Sequence, residues 1–174
     1  MRASVKKIVV IGPESTGKST LSQALAASLD TCYSEEYART YLEQRHNQYE
    51  FEDLRRIAEG QLKSEDRNLQ HARDVLICDT DLYVLAVWSS HKYGKVDPFI
   101  LQQIATRHYD GYILCSIDMP WEPDPQREHP DESMRQYFFR WYHELVIESG
   151  KPFIVVSGNE QERLHAALSS GLFR

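Results

Sequence analysis

The sequence predicts an α/β fold with a parallel sheet, and three features carry that prediction. Apolar runs recur along the chain at residues 5–11, 75–78, 112–117 and 153–156. Stretches with apolar residues at helical spacing separate them, and strands alternating with helices build parallel sheets. The first run passes directly into Gly12-Pro13-Glu14-Ser15-Thr16-Gly17-Lys18-Ser19, which matches G-x-x-x-x-G-K-[ST], and a helical pattern carrying Leu21, Leu25 and Leu29 follows. Strand, glycine loop and helix in that order form the context a phosphate-binding loop needs. A short strand at 31–34 brings the expectation to five parallel strands with helices on both faces.

Each fixed residue of the loop has a physical reason. Gly12 and Gly17 lack a Cβ, so the backbone can turn its N–H groups toward phosphate oxygens. The helix starting near Lys18 adds unpaired N–H groups and a positive dipole end. Lys18 reaches β- and γ-phosphates, and Ser19 offers a hydroxyl to Mg²⁺. With Glu14, Ser15, Thr16 and Thr20 in the same stretch, residues 12–20 form the expected ATP cradle.

Composition narrows the partners. The chain has 174 residues, read as one domain over 1–174, and a formal net charge of −6. With no basic cluster, nucleic acid is excluded as the main partner. No apolar run approaches a membrane span, and the chain enters its first strand too soon to hold a signal peptide. Cys32, Cys78 and Cys115 are odd in number, far apart and strand-like in setting, so reduced thiols in a cytoplasmic protein are expected.

Downstream, Ser34 is a plausible N-cap for a helix starting at Glu35, in which Glu36 and Arg39 share a face. A carboxylate at the end of a strand faces the crevice where open α/β sheets bind ligands, or merely complements a helix N-terminus. Residues 51–73 read as a long helix able to cover an acceptor. Gln61, Glu65 and Asp66 either look into that cavity or form a solvated face, the latter favoured for Glu65. The apolar run 75–78 ends in Asp79-Thr80-Asp81, the strand-then-acid arrangement that holds Mg²⁺. Asp81 points to the same crevice or caps the next helix. After 112–117, four prolines interleave with charges over 118–130 and exclude helix or inner strand. A mobile lid over about 118–135 is expected, with Arg127 and Arg135 acting on a transferred phosphoryl group. Helices over 131–148 and after the last strand complete the chain. Gly158 marks a loop suited to close approach by adenine.

Together these stretches resemble the ribosylnicotinamide (nicotinamide riboside) kinase domain of bifunctional bacterial NAD-salvage proteins, within the wider group of P-loop kinases. The resemblance rests on residues 12–19, on Glu36-Tyr37-Ala38-Arg39, on Asp79-Thr80-Asp81, and on Trp121 with Asp124 and Arg127. It implies a P-loop kinase fold and ATP-dependent phosphorylation of a nucleoside 5′-hydroxyl, yielding nicotinamide mononucleotide. Glu36 is then the expected base, with Asp81 second. Tyr37, Arg39, Trp121 and Asp124 join the acceptor site, and Ser19 and Asp79 hold Mg²⁺. Glu35 departs from the family, which carries an aromatic residue there to stack on the pyridine ring. The family's partner nucleotidylyltransferase domain is not expected in this sequence. A kinase for another nucleoside or nucleotide, and a regulatory P-loop ATPase, remain alternatives.

Overall fold

The computed structural model describes residues 5–174. Its centre is β1 (Lys6–Ile11), with β3 (Val75–Asp79) on one side and β4 (Gly111–Cys115) on the other. The edges are β2 (Tyr33–Ser34) beside β3 and β5 (Phe153–Val156) beside β4, giving the order β2-β3-β1-β4-β5. Every pairing is parallel, with Val10 opposite Asp79 on one side and Ile113 on the other. The expected five-stranded parallel α/β sheet is the fold observed.

Alternation along β1 divides the core. Ile8 and Val10 face α1 (Lys18–Ser28) and α7 (Glu160–Ser169), meeting Leu21, Leu25 and Ala167. Val9 and Ile11 face the other layer, where α4 (Leu82–Tyr93) and α6 (Glu132–Glu148) supply Val87, Phe138, Tyr142 and Val146. A third cluster joins α2 (Tyr37–Gln44), α3 (Phe51–Leu69), α4 and α5 (Pro98–Thr106) through Ala38, Leu54, Ile57, Leu82, Leu85 and Ile100. Within that helical cover, α3 packs against β2 and β3. No helix among the described residues is long and apolar enough to cross a membrane.

Local details differ from expectation. Ser34 does not cap α2: it ends β2, buried, and its Oγ donates to Ser64 Oγ at 3.4 Å, while Glu36 holds the N-cap position. The fourth strand stops at Cys115, and the irregular segment runs only to Asp131, whose side chain accepts from Met134 N–H. Arg135 lies in α6, within the helix read over 131–148, so only the end of the expected 118–135 lid is helical.

Candidate active site

The carboxyl ends of the strands open on a cavity of about 570 Å³, the crevice where open parallel sheets bind ligands. Residues 12–20 line it without a gap. Gly12 has φ 152°, and a Cβ there would stand 2.9 Å from the Cys115 carbonyl oxygen. Gly17 precedes α1 at φ 75°, and its Cβ would meet Met119 Sδ at 3.0 Å. A side chain at either position would displace the loop. Lys18 Nζ donates to the Pro13 carbonyl at 2.7 Å, and Thr16 Oγ1 to the same carbonyl at 2.8 Å.

Across the loop, Ser19 Oγ donates to Asp79 Oδ2 at 2.5 Å, while Asp79 Oδ1 is buried with no hydrogen-bond partner. A hydroxyl beside a carboxylate oxygen with a free lone pair fits Mg²⁺, which takes one or two carboxylates and completes its shell with water and phosphate. No cluster of three or more His, Cys, Asp or Glu suited to a metal occurs among the described residues. Burial pushes the Asp79 carboxyl above its ordinary pKa, against the Ser19 hydrogen bond and the Lys18 charge. Glu36 makes no side-chain capping bond, and its carboxylate lines the same cavity. Burial raises its pKa too, opposed first by Lys18 and reinforced by Asp79.

Asp81 does not reach this cavity. Two residues apart on a continuous strand, Asp79 and Asp81 would share a face. Thr80 between them has φ 69°, a left-handed conformation rare for a β-branched residue, and it turns the chain. Asp81 is buried on the far side, caps α4 by accepting from Tyr83 N–H at 2.9 Å, and accepts from Tyr112 OH at 2.9 Å. The capping alternative describes its place.

The remaining expected residues divide. Arg39 lines the cavity and pairs with Asp124 at 3.2 Å, and Arg127 lines it from the proline-rich segment. Tyr37, Trp121, Asp124 and Arg135 do not line it. The Tyr37 ring lies over Gly60, where a Cβ would come within 2.0 Å of it, and its N–H donates to Gln61 Oε1. Arg135 is buried and donates to the carbonyls of Ser15 and Met119, bracing the loop from behind. Glu65, expected on a solvated face, is instead fully buried against Tyr109 and Arg107; Asp66 also pairs with Arg107, and Gly158, at φ 88°, lies outside the lining.

Two features escape sequence reasoning. One is an aromatic compartment of the same cavity, walled by Tyr49, Trp88, His91, Phe138 and Tyr142 from three different segments. The other is Arg163 on α7, 1% exposed. It donates to the carbonyls of Thr16 (2.8 Å), Gly158 (2.8 Å) and Ser116 (3.2 Å) and pairs with Asp118. An arginine beside the apolar positions of a closing helix carries no signal of this in sequence.

A phosphate loop on the central strand of a five-stranded parallel sheet, facing an acid-bearing cleft under a helical cover, defines the P-loop kinase fold. A protein-family profile described as an AAA domain matches residues 7–163, and the chain belongs to that family. It is homologous to the trifunctional NAD biosynthesis/regulator protein NadR. Identity is 27% over 162 residues with the Escherichia coli K12 protein, covering 91% of this chain and 40% of that one. With the Salmonella typhimurium LT2 protein it is 28% over 156 residues, covering 87% and 38%. The chain thus spans about two fifths of the length of the curated relatives it matches. A crystal structure of NadR in complex with NR superposes with TM-score 0.79 at 25% identity, over 97% of this chain and 49% of the other. NadR in complex with NAD and AMP-PNP gives 0.78 at 26%, with the same coverage. A deoxyadenosine kinase from M. mycoides, at 17% identity and TM-score 0.61 over 93% of this chain and 96% of that one, shares the fold.

Proposed function

We propose that this chain is a single ATP- and Mg²⁺-dependent nucleoside kinase domain, and that its acceptor is nicotinamide riboside, phosphorylated on the 5′-hydroxyl to nicotinamide mononucleotide. One observation carries the reading: a single cavity joins the phosphate loop, Glu36 and an aromatic compartment suited to a flat heterocycle. The homology to NadR, one structure of which is in complex with NR, supports the choice of acceptor.

In this reading Lys18 exchanges the Pro13 carbonyl for phosphate oxygens, joined by the N–H groups of residues 14–20. Ser19 and Asp79 would hold Mg²⁺, which neutralises phosphate charge when bound. The acceptor oxygen forms a bond to the γ-phosphorus while the bridging bond to ADP breaks, its electron pair leaving with ADP. The hydroxyl proton passes to Glu36, whose raised pKa makes it a better proton acceptor than an exposed glutamate. Arg39 holds the acceptor or its phosphate, and Arg127 spreads charge on the transferring group. Arg135 acts through the loop it braces, Asp124 holds Arg39, and Tyr37 packs over Gly60 behind the wall. Glu35, whose carboxylate accepts from Tyr33 OH at 3.1 Å at the rim, suits a cationic pyridinium ring or an amino-bearing base.

An acceptor screen scored by ADP formation, with calorimetric titration of nicotinamide riboside, tests the reading. Saturable stimulation by nicotinamide riboside is expected. Absence of binding at millimolar riboside, with stimulation by adenosine or cytidine, moves the assignment to an amino-bearing base. ADP release indifferent to every nucleoside makes the protein a regulatory ATPase.

A further inference from the structure

Glu14 is poorly suited to be a phosphate ligand. It puts a negative charge into a loop built for anions, where like charges at short range repel. Its carboxylate is already engaged. Oε1 and Oε2 accept from Glu128 N–H at 3.1 and 3.0 Å, and Oε2 accepts from His129 N–H at 3.0 Å. Charge-assisted bonds of this kind are among the stronger ones available to a loop.

The same residue is gripped a second time. Glu128 Oε1 accepts from Tyr49 OH at 3.1 Å, in the connection between α2 and α3, and from Lys92 Nζ at 3.3 Å, on α4. Trp88 Nε1 donates to the Tyr49 hydroxyl at 2.9 Å, fixing it to the helical cover. Residue 128 is thus bound through its backbone to the phosphate loop and through its side chain to the cover. Arg127, the preceding residue, lines the cavity, and its Nη1 donates to the Glu122 carbonyl at 2.5 Å within the same segment.

Resting on the kinase reading above, we infer that Glu14 is a positioning residue that seats the proline-rich segment, and with it Arg127, against the phosphate loop. Glu128 ties that seating to the cover that bears Tyr49 and Lys92. The arginine reaches its working position when both grips are made, so the nucleotide side and the acceptor side of the cleft are mechanically joined at one residue.

Glu14→Ala, Arg127→Ala and their combination form the test, with hydrogen exchange of the 127–129 amides measured on substrate-free protein. Glu14→Ala is expected to speed that exchange and to lower kcat about tenfold or more, with the ADP dissociation constant within about threefold of the parent. In the Arg127→Ala background the same change should cost almost nothing further, since both remove one device. Glu14→Gln, which keeps one acceptor oxygen, should recover part of the loss. Unchanged exchange together with weakened ADP binding overturns the inference and makes Glu14 a nucleotide ligand. Rate losses that multiply in the double variant overturn it as well. The exchange measurement needs no turnover, so failure of the acceptor assignment leaves it readable.

Discussion

Glu36 and Asp79 at the carboxyl edge of the sheet invite comparison with Glu65 and Asp81 on the face covered by α3 and α4. Burial pushes all four carboxyls up, Asp81 to about 7. Asp81 even borders a second cavity, of about 310 Å³. Neither a perturbed acid nor a neighbouring hollow therefore separates the pairs. Bonding does. Both Glu65 oxygens accept from Tyr109 OH at 2.9 Å, Arg107 donates at 3.2 Å, and Lys7 stands 4.0 Å away. Asp81 has Tyr83 N–H and Tyr112 OH. Asp79 keeps an oxygen without a partner, 60 residues from the serine that shares its other one. Shifted pKa values mark functional sites only probabilistically, because structural networks shift them too; spare valence beside a phosphate loop is the sharper sign.

The comparison breaks first at the loop. Lys18→Ala leaves a good helix former at the start of α1 and should bring ADP formation to background with little change in Tm. Near-normal turnover would remove the kinase reading. Next, Glu36→Gln should lower kcat by about 10²–10⁴ while the riboside dissociation constant changes little. In the parent the rate should fall as acid protonates Glu36, at a pH above the ordinary glutamate value of about 4.3 because burial raises this pKa; the Gln variant should lack that limb.

The other pair should respond in stability instead. Glu65→Leu removes the buried charge facing Lys7, leaves Arg107 with Asp66 alone, and should cost about 3–5 kcal/mol in denaturant unfolding, with KM of the folded enzyme unchanged. The smallest effect belongs to Asp81→Asn. With a folded pKa of about 7 against about 3.9 unfolded, the native state binds the extra proton between those values. Parent stability should therefore decline as pH rises from about 4 to about 7 and level off above. Asn keeps a capping oxygen and should flatten that slope, visible as a smaller Tm difference between pH 5 and pH 8.

Much of this was legible in the sequence. The strand, loop and helix at 6–28 are local, and their periodicity and glycines are visible without tertiary knowledge. Asp79 was found because it ends an apolar run downstream of such a loop. Asp81 carried two readings, crevice and helix cap; a spacing of two implies one face only while the strand continues, and Thr80 at positive φ ends it and leaves the cap. Ser34 looked like a cap because caps are local, yet its hydroxyl found Ser64 on α3. The aromatic compartment and Arg163 are assembled from segments distant in the chain, and no periodicity records which of them meet.

The contacts of Arg163 have a consequence for how the protein matures. The phosphate loop precedes its sheet partners in the chain, and β1 finds them only when Val75 and Gly111 have emerged. The Thr16 carbonyl gains its guanidinium only when the final helix docks. A nascent or truncated chain therefore holds the whole motif without the frame that aims it. The aim of the phosphate loop thus depends on a residue far along the chain, through the bond from Arg163 to the Thr16 carbonyl.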